Sequence, residues 1–320
     1  MGDQAPPLLP IFYLKAFKNP GCKGCSIMKK NIFIRNAGIF LIFGAPSIFA
    51  FAAVVLIPFL VGLYLTFTNW DVRTTSSSFI GLTNYAKVFH DNVFLTQLWF
   101  TVKYALCTVL ISNIVAFFIA LALTRGVKGE KWLRTGFFTP NLIGGIVLGY
   151  LWQTLFSQVL PYLGNKYGWS LFQSSWLTDT DTAFWALVIA TAWQLVGYLM
   201  LIYIAGFSGV PNDVLEAASM DGANNSTILR RIILPLSIPA IVISIFISIS
   251  RSFLAYDINL ALTKGGPFHS TEMASYHIVQ KAFLSNQFGT GQAEAVVLFA
   301  VIALLALTQS YLLKKLEVES

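Results

Sequence analysis

The sequence predicts an all-α membrane protein of six transmembrane helices, and three observations lead there. The 320 residues are 56% hydrophobic and 15% aromatic but only 11% charged, less than half the roughly 25% charge of an ordinary soluble chain. The charges are also unevenly placed, leaving uncharged runs at 37–70, 104–124, 135–165, 182–212, 232–250 and 295–313. Each is long enough to cross a hydrocarbon core of about 30 Å, which needs about 20 apolar residues in a helix. The loops between the runs are too short to hold an independent soluble enzyme domain.

The third observation is where the basic residues fall. The net charge of +7 would suit nucleic acid in a soluble chain, but here its distribution reads as membrane topology, and no nucleic-acid partner is expected. Lys15, Lys18, Lys23, Lys29, Lys30 and Arg35 precede the first run; Arg125, Lys128, Lys131 and Arg134 follow the second; Arg230 and Arg231 follow the fourth; Lys314 and Lys315 end the sixth. The alternate loops hold only Arg73, Lys87, Lys166, Lys264 and Lys281. Loops rich in Lys and Arg stay in the cytoplasm, so both termini are expected there. This gives a cytoplasmic tail over 1–36, a permeation domain in membrane lipid over 37–313 and a short cytoplasmic tail over 314–320.

Taken in order, residues 1–27 are rich in Pro, Gly and Lys, with a mixed stretch, Ile11 to Lys18, suited to the inner membrane surface. Met28-Lys29-Lys30 resembles the start of a cytoplasmic flank, so residues before it are expected to be dispensable or to reflect an upstream start. Cys22 and Cys25 form a lone CxxC without a second pair or a nearby His, which reads as two reduced thiols. Apolar sequence continues past Ala50-Phe51-Ala52, so the first span is expected to be retained rather than cleaved.

Span 1, about 37–67, contains Pro46 and Pro58, both expected to kink it. The outer loop Asn69 to Leu98 carries Trp70 and Tyr85, and Trp99 follows it, at headgroup level. Span 2 is expected over about 100–124. Span 3, about 136–157, holds Gly145 and Gly149 in a GxxxG spacing that permits close helix packing. An outer segment from Gln158 to Asp181 precedes span 4 at about 183–207.

The next cytoplasmic loop, about 208–235, breaks the pattern. Pro211 with Asn212 or Asp213 makes a helix start, Glu216-Ala217-Ala218 has strong helix propensity, and Gly222 offers the left-handed position that ends a helix. Asn225 or Ser226 is expected to cap a second short helix reaching Pro235. Spans 5 and 6 close the chain.

Glu216, Ala217, Ala218, Gly222, Ile232, Leu234 and Pro235 fill every fixed position of the EAA loop that marks bacterial ABC importer permeases. From span 1 onward the chain resembles the carbohydrate type of this family, and its MalF-like branch in particular, because Leu262-Thr263-Lys264-Gly265-Gly266-Pro267 follows span 5. The resemblance implies the type I ABC importer permease fold. It implies that Glu216, Ala217, Ala218, Asp221, Gly222, Ile232, Leu234 and Pro235 couple the chain to a separate ATPase. It also implies a MalG-like second permease, two ATPase subunits, an extracytoplasmic solute-binding protein and a sugar as cargo in a bacterial cytoplasmic membrane. The chain itself lacks GxxxxGK[ST], so ATP and Mg belong to the ATPase and no cofactor is expected here. Unlike the maltose permease, this chain has neither a large outer domain nor two extra N-terminal spans.

Counted back from Glu216, positions 191, 194, 195 and 198 correspond to sugar-contacting positions of the maltose permease, and 251 and 252 to others on span 5. Here they are Thr191, Gln194, Leu195, Tyr198, Arg251 and Ser252, and only Tyr198 keeps the residue type. Trp193 and Tyr203 add ring surface on span 4. Arg251, about 24 Å beyond Pro235 along a straight helix, has three readings: a substrate or gate contact, a structural ion pair with Asp257, or a snorkelled cation. The lead cargo is a neutral di- or oligosaccharide, with glycerol phosphate or an acidic sugar as runner-up. An ion-coupled carrier fits poorly, since the uncharged runs hold no Asp or Glu. His90, His269 and His277 lie in expected outer loops without metal-ligand spacing, and nothing suggests an enzyme's active site.

Overall fold

The computed structural model describes residues 44–70 and 78–315. The N-terminal tail with Cys22, Cys25 and the 11–18 stretch lies outside the described residues, as do the first positions of span 1, Arg73 and residues 316–320. The chain divides into two units, 1–62 and 63–320. The described part of the first is helical from Ala45, and the packing discussed below is all within the second.

Among the described residues the regular elements are helices, with one isolated bridge between Thr68 and Phe79. They are α1 (Ala45–Leu65), α2 (Thr83–His90), α3 (Asn92–Leu123), α4 (Glu130–Phe138), α5 (Gly145–Tyr167) and α6 (Thr180–Ser208). After these come α7 (Asn212–Met220), α8 (Asn225–Leu236), α9 (Ile238–Phe253), α10 (Tyr256–Leu262), α11 (Ala274–Val279) and α12 (Phe288–Lys314). Helices α1, α3, α6 and α12 are each long and apolar enough to cross a membrane alone; two bent pairs raise the number to six if each pair is one span.

Those bent pairs depart from the straight spans read from the sequence. The third crossing breaks after Thr139–Leu142, where Ile143 and Gly144 turn extended, and α5 leaves at 99° to the preceding helix. The fifth bends by 66° at Ser237, between α8 and α9. Span 2 also starts earlier than expected, because the Asp91 carboxylate accepts from the amides of Val93 at 2.9 Å and Phe94 at 3.3 Å and caps α3 at Asn92.

Proline explains several irregularities inside the helices. Pro46 follows Gly44, which is itself in a π turn. Pro58, Pro161 and Pro235 each follow a π turn, over Ala52–Leu56, Leu155–Val159 and Leu229–Ile233 respectively. A proline cannot donate to the carbonyl four residues back, and in all three cases that carbonyl lies inside the π turn, where wider spacing relieves the clash. The helix therefore continues past Pro161 to Tyr167, through what the sequence suggested was a loop.

Small residues set the closest approaches. A Cβ on Gly149 would lie 2.5 Å from the Ala261 Cβ and one on Gly206 would lie 2.5 Å from the Ala240 Cβ. The GxxxG of span 3 thus seats α10 against α5, as expected. One apolar cluster joins α3, α5, α6 and α10 through Tyr104, Leu148, Leu187 and Ile258; a second lies between α3 and α6 around Ala120, Leu199 and Phe207. A third gathers Val88, Phe94, Phe253 and Leu298. Polar links pin the same helices: the Tyr203 hydroxyl donates to Asn113 Oδ1 at 2.8 Å, and Asn113 Nδ2 donates to Ser248 Oγ at 2.9 Å.

Candidate functional site

Between spans 4 and 5, α7 starts directly after Pro211 and ends in a Schellman motif. Gly222 sits at φ +79°, the Ala223 amide donates to Ala218 O at 3.0 Å, and the Gly222 amide donates to Ser219 O at 3.1 Å. The second helix is capped by Asn224, whose Oδ1 accepts from the Thr227 amide at 2.8 Å, rather than by Asn225 or Ser226. Of the predicted coupling residues, Glu216, Ala217, Asp221 and Gly222 are exposed and Ala218 is half-buried, while Met220 beside them is 88% exposed. Ile232, Leu234 and Pro235 lie on α8, leading to the bend at Ser237. The loop is thus a capped corner with an uncovered surface of small residues and the exposed carboxylates of Asp213, Glu216 and Asp221.

A cavity of about 300 Å³ opens where α5, α6, α9 and α10 meet. Four of the six sequence-predicted substrate positions line it: Thr191, Gln194, Leu195 and Arg251. Thr191 is held by the Tyr104 hydroxyl, which donates to its Oγ1 at 2.6 Å, and Gln194 Nε2 donates to the Ile143 carbonyl at 2.9 Å, tying α6 to the broken third span. Tyr198 lies behind the wall, its ring 5.2 Å from the Arg251 guanidinium carbon. Ser252 is fully buried and does not line the cavity. Trp193 packs edge-on against Trp152 at 5.5 Å, and Tyr203 is occupied in the Asn113 network, so neither ring reaches it.

Arg251 is not at a helix centre. It sits in the last turn of α9, where the carbonyl end of the helix favours a cation. Its Nη1 donates to Asn141 Oδ1 at 2.8 Å. Of the three readings of Arg251, the ion pair with Asp257 does not form among the described residues; both residues line the same cavity.

A second polar cluster lies around α11, where sequence spacing carried no signal. Lys281 Nζ bridges Asp91 Oδ2 and Glu294 Oε1, each at 2.5 Å, and Glu272 accepts from His269 Nδ1 at 2.7 Å and His277 Nδ1 at 3.0 Å. His277 is half-buried on a helix, not in a loop. Metal-ligating atoms of Asp91, His277 and Glu294 come within 4.8 Å of one another, a geometry that could hold an ion. The Lys281 ammonium already supplies the cation between its two carboxylates, Asp91 and Glu294. Burial pushes Glu272 up, but its bonds to His277 and His269 outweigh this and hold it below the ordinary glutamate value. Burial likewise works against the charge of Lys281, and its bonds to Asp91 and Glu294 outweigh it and raise the ammonium's value. Asp91 and Lys281 are 190 positions apart, so no local spacing could have revealed the group.

Residues 112–317 match the family described as binding-protein-dependent transport system inner membrane component. Among curated proteins, the chain is 40% identical over 293 residues to the probable starch degradation products transport system permease protein AmyD of Thermoanaerobacterium thermosulfurigenes, covering 91% of this chain and 99% of that one. It is 30% identical over 261 residues to the multiple sugar-binding transport system permease protein MsmF of Streptococcus mutans, covering 82% and 90%. Among solved structures, a bacterial ABC transporter involved in the import of the acidic polysaccharide alginate shares the fold, with a TM-score of 0.77 at 17% identity over 90% of this chain and 98% of that one.

Proposed function

Since the chain belongs to the binding-protein-dependent inner membrane components, and is a sugar ABC importer permease of type I fold, we propose that it forms half of a translocation pathway for a neutral oligosaccharide. It is a transport component, not an enzyme. The observation that carries the reading is the cavity, where Thr191, Gln194, Leu195 and Arg251 converge from two helices. Hydroxyl, amide and guanidinium groups replace the water around a sugar, while Leu195 and Ile258 cover its apolar faces. The names of AmyD and MsmF, which concern starch products and multiple sugars, favour an oligosaccharide over glycerol phosphate.

The remaining assembly follows the same reading. A second, MalG-like permease completes the pathway, two ATPase subunits bind ATP and Mg, and a solute-binding protein delivers the sugar at the outer face. The exposed end of α7 docks on the ATPase: Ala217 and Ala218 permit close approach, and Glu216 orients the contact through a basic partner. Motion of the docked corner passes through Ile232, Leu234 and Pro235 on α8 into α9 and the cavity. Both tails, 1–36 and 314–320, lie in the cytoplasm, and 37–313 is the permease domain of a bacterial cytoplasmic membrane protein.

ATP hydrolysis by the complex purified with its native partners tests this reading. Binding protein loaded with neutral oligosaccharide should stimulate it, and binding protein loaded with uronate oligomers or glycerol phosphate should not. Activity indifferent to every loaded binding protein would refute both the coupling and the cargo.

A further inference from the structure

We infer that Asp257 sets the charge selectivity of the cavity, admitting neutral polyhydroxyl ligands and turning away anions. The inference rests on the sugar-permease reading and adds a residue that neither the motif nor the maltose-permease positions single out. Arg251 alone would make this an anion site. Asp257 lines the same cavity of about 300 Å³ from the first turn of α10.

Three features separate this from an ordinary ion pair. Arg251 is anchored elsewhere, with Nη1 on Asn141 and its face over Tyr198, so it does not quench the carboxylate. Asp257 is exposed, and its carboxylate makes no hydrogen bond among the described residues. It lies close against Gly145, where an added Cβ would lie 2.8 Å from the Asp257 Cβ and 3.3 Å from Oδ2. Gly145 opens α5, so the carboxylate also lies at the positive end of that helix's dipole.

The wall therefore presents a group that only donates and a group that only accepts. A sugar hydroxyl does both, so a neutral saccharide can meet either group without bringing a charge to it. The carboxylate of a uronate, or a phosphate, pairs with Arg251 but brings a like charge into the cavity that Asp257 lines, and the two repel. A cation meets the reverse problem.

The test reads the cavity without relying on the binding protein's own selectivity. In the purified complex, with Cys22, Cys25 and Cys107 of this chain replaced by Ser, Ala255→Cys places one thiol in the cavity wall. Maleimide labelling of that thiol is followed with increasing maltotriose or a trimeric uronate. Maltotriose should protect it and the uronate should not. In an added Asp257→Asn background the half-protecting uronate concentration should fall at least tenfold and that of maltotriose rise several-fold, while Asp257→Glu should restore exclusion and so report a folded cavity. Uronate protection as strong with the native Asp257 as in the Asp257→Asn variant, or no effect of Asp257→Asn, overturns the inference even where maltotriose protects. If neither sugar protects and no loaded binding protein stimulates ATP hydrolysis, the sugar reading itself falls.

Discussion

A guanidinium at the centre of a spanning helix costs about 2.5–3.5 kcal/mol on insertion scales, and Arg251 avoids much of that by its place in the last turn of α9. Its three supports are the helix terminus, Asn141 and the Tyr198 ring. Replacing Arg251 with Leu should lower sugar uptake at least tenfold in proteoliposomes and leave the affinity of the binding protein for sugar unchanged; normal uptake would remove the residue from the pathway. The sequence located Arg251 but not these supports, because Asn141 lies 110 positions away on a crossing that looked like a straight helix. Glu272 gives a pH dependence whose sign follows from its depressed value. The native bonds to His277 and His269 contribute stability in full above the unfolded glutamate value and lose it as pH falls through the lower native one. Hydrogen exchange over 269–277 should therefore accelerate, relative to its intrinsic rate, as pH drops below about 4.5. Glu272→Gln should flatten that profile.

At the scale of elements, the EAA loop was almost fully legible, because turn chemistry is local: Pro211, the Ala-rich turn and Gly222 each act within a few residues. The bends were not. An uncharged run such as 135–165 has the same composition whether it crosses straight or breaks at Gly144, and the Ile143 carbonyl freed at the break is met by Gln194, a helix away. Gly222 offers a clean test of the loop. A Cβ there meets nothing within 4 Å, so the effect of a β-branched Gly222→Val arises chiefly from the backbone at φ +79°. The left-handed region costs a side-chain-bearing residue about 1–2 kcal/mol, enough to unwind the Schellman end of α7. Membrane insertion should persist while stimulation of the ATPase by loaded binding protein is lost. Retained stimulation would mean that the corner's shape does not matter to coupling.

For the whole molecule, the apolar segments were legible in the placement of charge, four spanning helices and two bent pairs falling on the six uncharged runs, whereas the side-chain groups joining distant segments needed the fold. The proposed orientation predicts that a Cys at exposed Ser226, in a background with Cys22, Cys25 and Cys107 replaced by Ser, reacts with an impermeant maleimide in inside-out vesicles only. Labelling from the outer face of intact cells would reverse the topology. The bend at Ser237 has a mechanical meaning. It divides the fifth crossing into a short arm attached to the EAA corner and a long arm, α9, whose 16 residues extend about 24 Å. Arg251 rides about 20 Å from the pivot, so a tilt of about 5° carries it through about 2 Å. That stroke exceeds the slack in a hydrogen bond, so a slight rotation about Ser237 is sufficient to pull the guanidinium off Asn141 and reshape the cavity wall that it lines.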